Sequence, residues 1–199
     1  MLPVGRTKEF DVADALERAM RLFWSKGYAA TSIADLVTAT GVARAGLYAT
    51  FGDKHELYLK ALDAYATARD PALVARLSGA GPALPAVYAL ITDYADADQA
   101  RAGCFVVNAA IERLPADAGA ALTVEASWSA LEAALTAAFS RARAAGELVA
   151  DADPAALARL VLVLLQGMRV VGRGRPGSGR ATTAAAQAIT MIGTLTPII

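Results

Sequence analysis

Residues 31–51, TSIADLVTATGVARAGLYATF, decide how this chain reads. Thr31 and Ser32 are alternative N-caps for a short helix whose apolar positions, Ile33, Leu36 and Val37, fall at helical spacing. Gly41 closes that helix, and a second short helix begins near Ala43 and runs to about Thr50. Two short helices joined by a tight glycine-containing turn form the unit that lays its second helix in a DNA major groove. The predicted buried positions are Ile33, Leu36, Val37, Val42, Leu47 and Phe51. They leave Ala43, Arg44, Ala45, Gly46, Tyr48 and Thr50 on the opposite face, and its small residues let the helix sit deep. Arg44 is the long side chain there that reaches a base edge, most naturally guanine, while Ala43 and Ala45 suit thymine methyl groups. Tyr48, Thr50 and Lys54 suit phosphates, as do Thr31 and Ser32 at a helix N-terminus with outward N–H groups.

Outward from this segment the chain continues in helices. Upstream, one is expected from about Asp11 to Lys26, ended by Gly27. It is preceded by a short arm whose Arg6 and Lys8 reach toward a minor groove. Downstream, Asp53-Lys-His-Glu56 makes a capping box that opens a long helix bearing Leu57, Ala61, Leu62 and Tyr65, expected to end before Pro71. Residues 71–85 read as a connector, with helices then over 84–97, 103–114, 118–145, 154–172 and 181–195. Asp153-Pro154 marks a helix start by cap and first-turn proline. No period-two alternation reads as a strand, so the fold class is all-α with about nine helices. The division is residues 1–52 for the DNA-reading unit, 53–70 for a linking helix and 71–199 for a second helical domain.

Composition limits the chemistry. The 199 residues carry 19 basic and 19 acidic side chains, so no bulk positive charge draws the chain to nucleic acid. With one His and one Cys, a Cys/His zinc cluster, an internal disulfide and most catalytic triads are excluded. Residues 61–199 hold no His or Lys, and the nearest carboxylate sets, Asp93/Asp96/Asp98 and Asp151/Asp153, read as helix caps. An all-α enzyme or small-molecule carrier without a DNA role is therefore the weaker alternative. No catalytic residue, metal or cofactor is expected. The N-terminus lacks a signal-peptide pattern, and the uncharged run Ala181–Ile199 is too rich in Ala, Thr and Gly for a membrane span. The site of action expected is the cytoplasm.

Residues 10–65, with their F-x-x-KGY-x-x-TSI-x-D-L and GV-x-x-x-x-LY-x-x-FGDK runs, resemble the N-terminal domain of the TetR/AcrR family of bacterial transcriptional regulators. The resemblance implies a three-helix DNA-binding domain, a linking fourth helix and a divergent helical domain that binds an effector and dimerises. Two departures are Ala43 and Gly46 where polar residues are common, and Thr50 where histidine often follows the tyrosine. What it implies as function is a homodimeric repressor on a palindromic double-stranded operator, released by a small apolar or aromatic effector. The candidate effector contacts are the polar or bulky interior residues Tyr88, Tyr94, Phe105, Asn108, Trp128, Gln166 and Met168. Residues 157–171 are apolar all round and 181–195 are rich in small residues. These two segments look like the family's four-helix dimer interface, through Leu157, Val161, Leu164, Ala184, Ala188 and Ile192. Cys104 reads as a small buried hydrophobe. Arg173-Gly-Arg-Pro176 matches the core of a minor-groove hook but reads as an interhelical loop.

Overall fold

Asp11 starts the first helix by accepting hydrogen bonds from the Ala13 and Asp14 amides. In the computed structural model, which describes residues 10–96, 103–174 and 178–197, that helix is α1, Val12–Lys26. It is followed by α2 (Ile33–Thr40), α3 (Arg44–Phe51) and α4 (Lys54–Ser78). Then come α5 (Ala83–Ala95), α6 (Phe105–Arg113), α7 (Ala118–Ala144), α8 (Pro154–Val171) and α9 (Arg180–Gly193). Among the described residues there are nine helices and no strand. Arg6 and Lys8 lie outside the described residues, as do Asp98 and the Arg175-Pro176 half of the hook-like run.

The chain divides into two compact units at Tyr65–Ala66. In the first, Ala15, Ala19 and Phe23 of α1 are buried, with Leu36, Val42, Leu47 and Phe51 from the helix-turn-helix and Leu57, Tyr58 and Leu62 from α4. Ile33 and Val37, expected inside, are only half-buried. An aromatic cluster fixes this core: the Phe23 and Tyr58 rings meet edge to face at 5.2 Å, and Tyr28 and Tyr58 at 4.9 Å.

The second unit packs α5, α7 and α8 around Val87, Leu90, Ile91, Leu135, Phe139, Val161 and Leu165, with Ala185 and Ile192 of α9 joining them. Long-range caps tie its helix ends. The Glu147 carboxylate accepts from the Ala83 and Leu84 amides at 2.9 and 3.0 Å, satisfying orphan donors at the start of α5. Arg141 donates to the Leu77 carbonyl near the end of α4 at 2.6 Å. α4 does not stop before Pro71 but continues through it to Ser78. Proline in a helix interior costs one backbone bond and clashes with the preceding turn. Here the turn beyond it is held by buried Leu77 and by Arg141.

Candidate nucleic-acid interface

Two glycines and one capping box set the geometry of the reading helix. Gly41 sits in the left-handed region (φ 71°), and its amide donates to the Val37 carbonyl at 2.9 Å. A side chain there would meet no neighbour, so conformation, not space, requires glycine. At the far end Gly52 (φ 86°) turns the chain into α4, where the Asp53–Glu56 box forms as expected. Lys60 donates to the Phe51 carbonyl at 2.9 Å and closes α3.

Ser32, not Thr31, caps α2. Its hydroxyl accepts from the Asp35 amide at 3.1 Å and donates to the Asp35 carboxylate, which accepts from the Ser32 amide at 2.8 Å. Lys26 Nζ lies 2.6 Å from the same carboxylate. The bond from Lys26, then those from the Ser32 amide and hydroxyl, hold Asp35 far below the usual carboxylate range. Thr31 corrects the expectation of a phosphate contact: it is 1% exposed and its hydroxyl is spent on the Gly27 carbonyl at 2.6 Å. Ser32 stays exposed, but its hydroxyl is committed to Asp35.

Ala43, Arg44, Ala45 and Thr50 are all exposed, and Tyr48 is 37% exposed. Ala43 caps α3 without a side-chain bond, so the first amides of that helix carry no side-chain acceptor from their cap. The Arg44 guanidinium lies 5.2 Å from the centre of the Tyr48 ring, one turn along. Gly46 is a second correction. It is half-buried, and a Cβ placed on it would meet Val42 at 3.0 Å and Phe10 at 3.6 Å, so it serves close packing rather than the open face. Lys54 is half-buried, with its ammonium 4.3 Å from the Tyr28 ring centre, and His55 meets the same ring edge-on at 6.1 Å. Sequence reasoning missed Tyr28; an aromatic beside a helix-ending glycine, packed under the next basic residues, was its only signal.

In the second unit Phe105, Met168 and Tyr94 are buried, and Tyr88, Asn108, Trp128 and Gln166 are half-buried. Burial, more than the nearby Glu147, raises the Tyr88 hydroxyl above its ordinary range. Burial likewise raises Tyr94, with Arg69 and Arg169 pulling the other way. The Arg169 guanidinium is 4.2 Å from the Tyr94 ring centre, Arg69 donates to Cys104 Sγ at 2.6 Å, and Arg173 donates to Asn108 Oδ1. These arginines were not foreseen, although a charged residue inside the apolar 157–171 run was the available signal. An open groove of about 530 Å³ lies elsewhere, between α5 (Thr92, Asp93, Ala95) and α9 (Thr182, Ala185, Ile189). No effector candidate lines it.

The apolar face of α8 that stays exposed is Leu160, Val163, Val170 and Val171, with Met191 on α9. Leu157, Val161 and Ile192, expected at a partner surface, are instead buried in the protomer's own core; α8 is apolar over most of its circumference, and the core takes one of its faces. Leu164, Ala184 and Ala188 remain half-buried beside the exposed stripe.

The sequence profile described as bacterial regulatory proteins, tetR family, matches residues 15–61. A second, the Tetracyclin repressor-like C-terminal domain, matches residues 80–189. The chain is 38% identical over 160 residues to the HTH-type transcriptional regulator YezE of Bacillus subtilis, covering 78% of this chain and 82% of that one. It is 34% identical over 173 residues to the HTH-type transcriptional repressor ComR of Escherichia coli, covering 85% and 82%. Among solved structures, the TetR family transcriptional regulator CifR, a cysteine mutant complexed with a 26-bp double-strand operator DNA, superposes with a TM-score of 0.80. The two share 29% identity over 94% of this chain and 98% of that one. These relatives are regulators, not enzymes. Profile, relatives and an exposed helix-turn-helix face agree: the chain belongs to the TetR family of bacterial transcriptional regulators.

Proposed function

We propose that the protein is a homodimeric cytoplasmic repressor that binds a palindromic operator through α3 and leaves it when a small molecule enters the second unit. The observation that carries this reading is the exposed face of α3, where small residues flank one long reader, Arg44. Arg44 is assigned to a guanine edge and Ala43 and Ala45 to apolar base contacts. Tyr48, Thr50 and Lys54 are assigned to phosphates, and Gly46 to the packing that lets α3 approach. Lys54 resting on Tyr28 has less freedom to lose on meeting a phosphate.

Two α3 helices reach successive major grooves only if two protomers dock about one DNA turn apart, roughly 34 Å. The exposed stripe Leu160, Val163, Val170 and Met191, with Ala184 and Ala188 beside it, is assigned to that docking. A ligand that pivots α4 changes the spacing of the two reading helices and costs the bivalent affinity. Selection of bound duplexes from a random library at fixed salt tests the reading. Enrichment of a two-fold symmetric sequence is expected, and absence of any enriched sequence contradicts it.

A further inference from the structure

Gly167 stands inside the apolar run of α8, where glycine is a poor helix former and alanine or leucine would serve better. Its backbone is ordinary helix, and a Cβ placed on it would meet nothing within 4 Å. Neither conformation nor space within the protomer therefore calls for glycine. The residue is exposed, and it shares one face of the helix with Leu160, Val163 and Val170, at i−7, i−4 and i+3. Those three, with Val171 beside them, are the large apolar side chains that α8 turns to solvent, and Val163 is 70% exposed. The helix carries two charged residues, and both are engaged within the protomer. Arg159 pairs with Glu132 of α7 at 2.9 Å, and the Arg169 guanidinium lies over the Tyr94 ring of α5. What faces outward is an uncharged apolar strip with a gap in it. On a two-fold axis each residue meets its own copy. A charge there would face a like charge and a bulky side chain would face itself, whereas glycine lets two backbones approach closely.

We infer that α8 docks on α8 of a second copy and that the two helices cross at Gly167, with Val163 and Val170 of each filling the gap left by the other's glycine. The inference rests on the homodimer reading above and adds to it the position of the two-fold axis. Packed helices lie about 8–10 Å apart, axis to axis, depending on the side chains between them. With Cα atoms about 2.3 Å from each helix axis, the two Gly167 Cα atoms come within about 6 Å of each other. In a two-fold contact each protomer supplies both the knob and the hole. A strip of valines around a glycine is self-complementary in that sense, and this singles out a second copy as the partner.

The test is sedimentation of the full chain and its Gly167 variants. Gly167→Leu is expected to raise the dimer dissociation constant by about tenfold or more, because two leucines overfill one crossing. Its circular dichroism is expected to keep the parent's helix content, since within the protomer the added side chain meets open space and leucine favours helix. Gly167→Ala is expected to fall between the two. Gly167→Cys, oxidised with copper–phenanthroline at a concentration where the chain is dimeric, is expected to give a disulfide-linked dimer, which needs Cα atoms within about 7 Å. The parent, whose Cys104 is buried, and Ala118→Cys, on the exposed start of α7, are expected to stay unlinked. A parent-like dimer in Gly167→Leu, or no linked dimer from Gly167→Cys, would overturn the crossing. Leu160→Glu with Val163→Glu separates the crossing from the reading beneath it. If that pair gives a monomer while Gly167→Leu does not, the strip is the interface and the crossing alone falls. If the parent is itself monomeric, or the pair leaves the dimer intact, both fall.

Discussion

Each unit lays an arginine over a tyrosine ring, and the two settings differ in solvent. Arg44 lies 5.2 Å from the Tyr48 ring centre on the surface of α3, whereas Arg169 lies 4.2 Å from a Tyr94 ring that is 4% exposed. At an exposed site such a contact is worth about 0.5–1 kcal/mol, and about 2 or more when desolvated. The surface pair is therefore the looser of the two, and the base-reading role proposed for Arg44 requires giving up little to leave it. The inner pair sits where the Tyr94 ring is buried. The same two residue types are held differently in the two units because burial sets how tightly the charge is held.

The largest effect on this comparison should come from separating the protomers. Leu160→Glu with Val163→Glu puts two charges on the exposed stripe of α8 without touching the core residues Val161 and Leu165. The pair is expected to yield a folded monomer by sedimentation and to weaken operator binding by about 10²–10⁴. An unchanged dimer would place the interface elsewhere. Next, Arg44→Ala should keep the dimer but lose discrimination at one base pair of each half-site, worth about 1–3 kcal/mol. A competition series of operator mutants reads this directly, and unchanged selectivity would remove Arg44 from the base-reading role.

Smaller still is Lys54→Ala, which should weaken binding to all sequences alike and lower the salt slope by about 0.9 per phosphate lost. Tyr28→Leu, which removes the ring under Lys54, should move the slope in the same direction by less. The smallest effect concerns Asp35. Its carboxyl is held below the ordinary range in the folded state, so its contribution to stability is present at neutral pH. That contribution is lost as pH falls below about 4, the range in which the unfolded group protonates. Asp35→Asn should be less stable than the parent at pH 7, with the gap closing in acid; a gap independent of pH would dismiss the charge of Asp35 as its cause.

How much of this was legible depended on distance along the chain. Helix boundaries were readable because their signals are local: Asp53 and Asp153 as caps, Gly27 and Gly41 as stops. Pro71 misled because the cost of proline is local, while the compensation, Arg141 on the Leu77 carbonyl, comes from 64 residues away. Thr31 and Ser32 are chemically equivalent caps, and only Asp35 with Lys26 behind it decides for Ser32. The face of α3 was legible because its buried residues are few and large. The face of α8 was not: Leu157, Leu160, Val161 and Val163 are alike in sequence, and only packing sorts core from surface. Arg169 meets the Tyr94 ring across the fold, and no spacing in the chain announces that contact.

With a formal net charge of zero, the chain is proposed to recognise DNA through a few placed residues and not through bulk charge. The direct measurement is the affinity for a selected operator and for a scrambled duplex of equal length, at the same salt and across a salt series. The operator is predicted to bind at least about 10³ more tightly at physiological salt, with Arg44→Ala removing much of that ratio. Equal affinity for both duplexes, falling in parallel with salt, would contradict it.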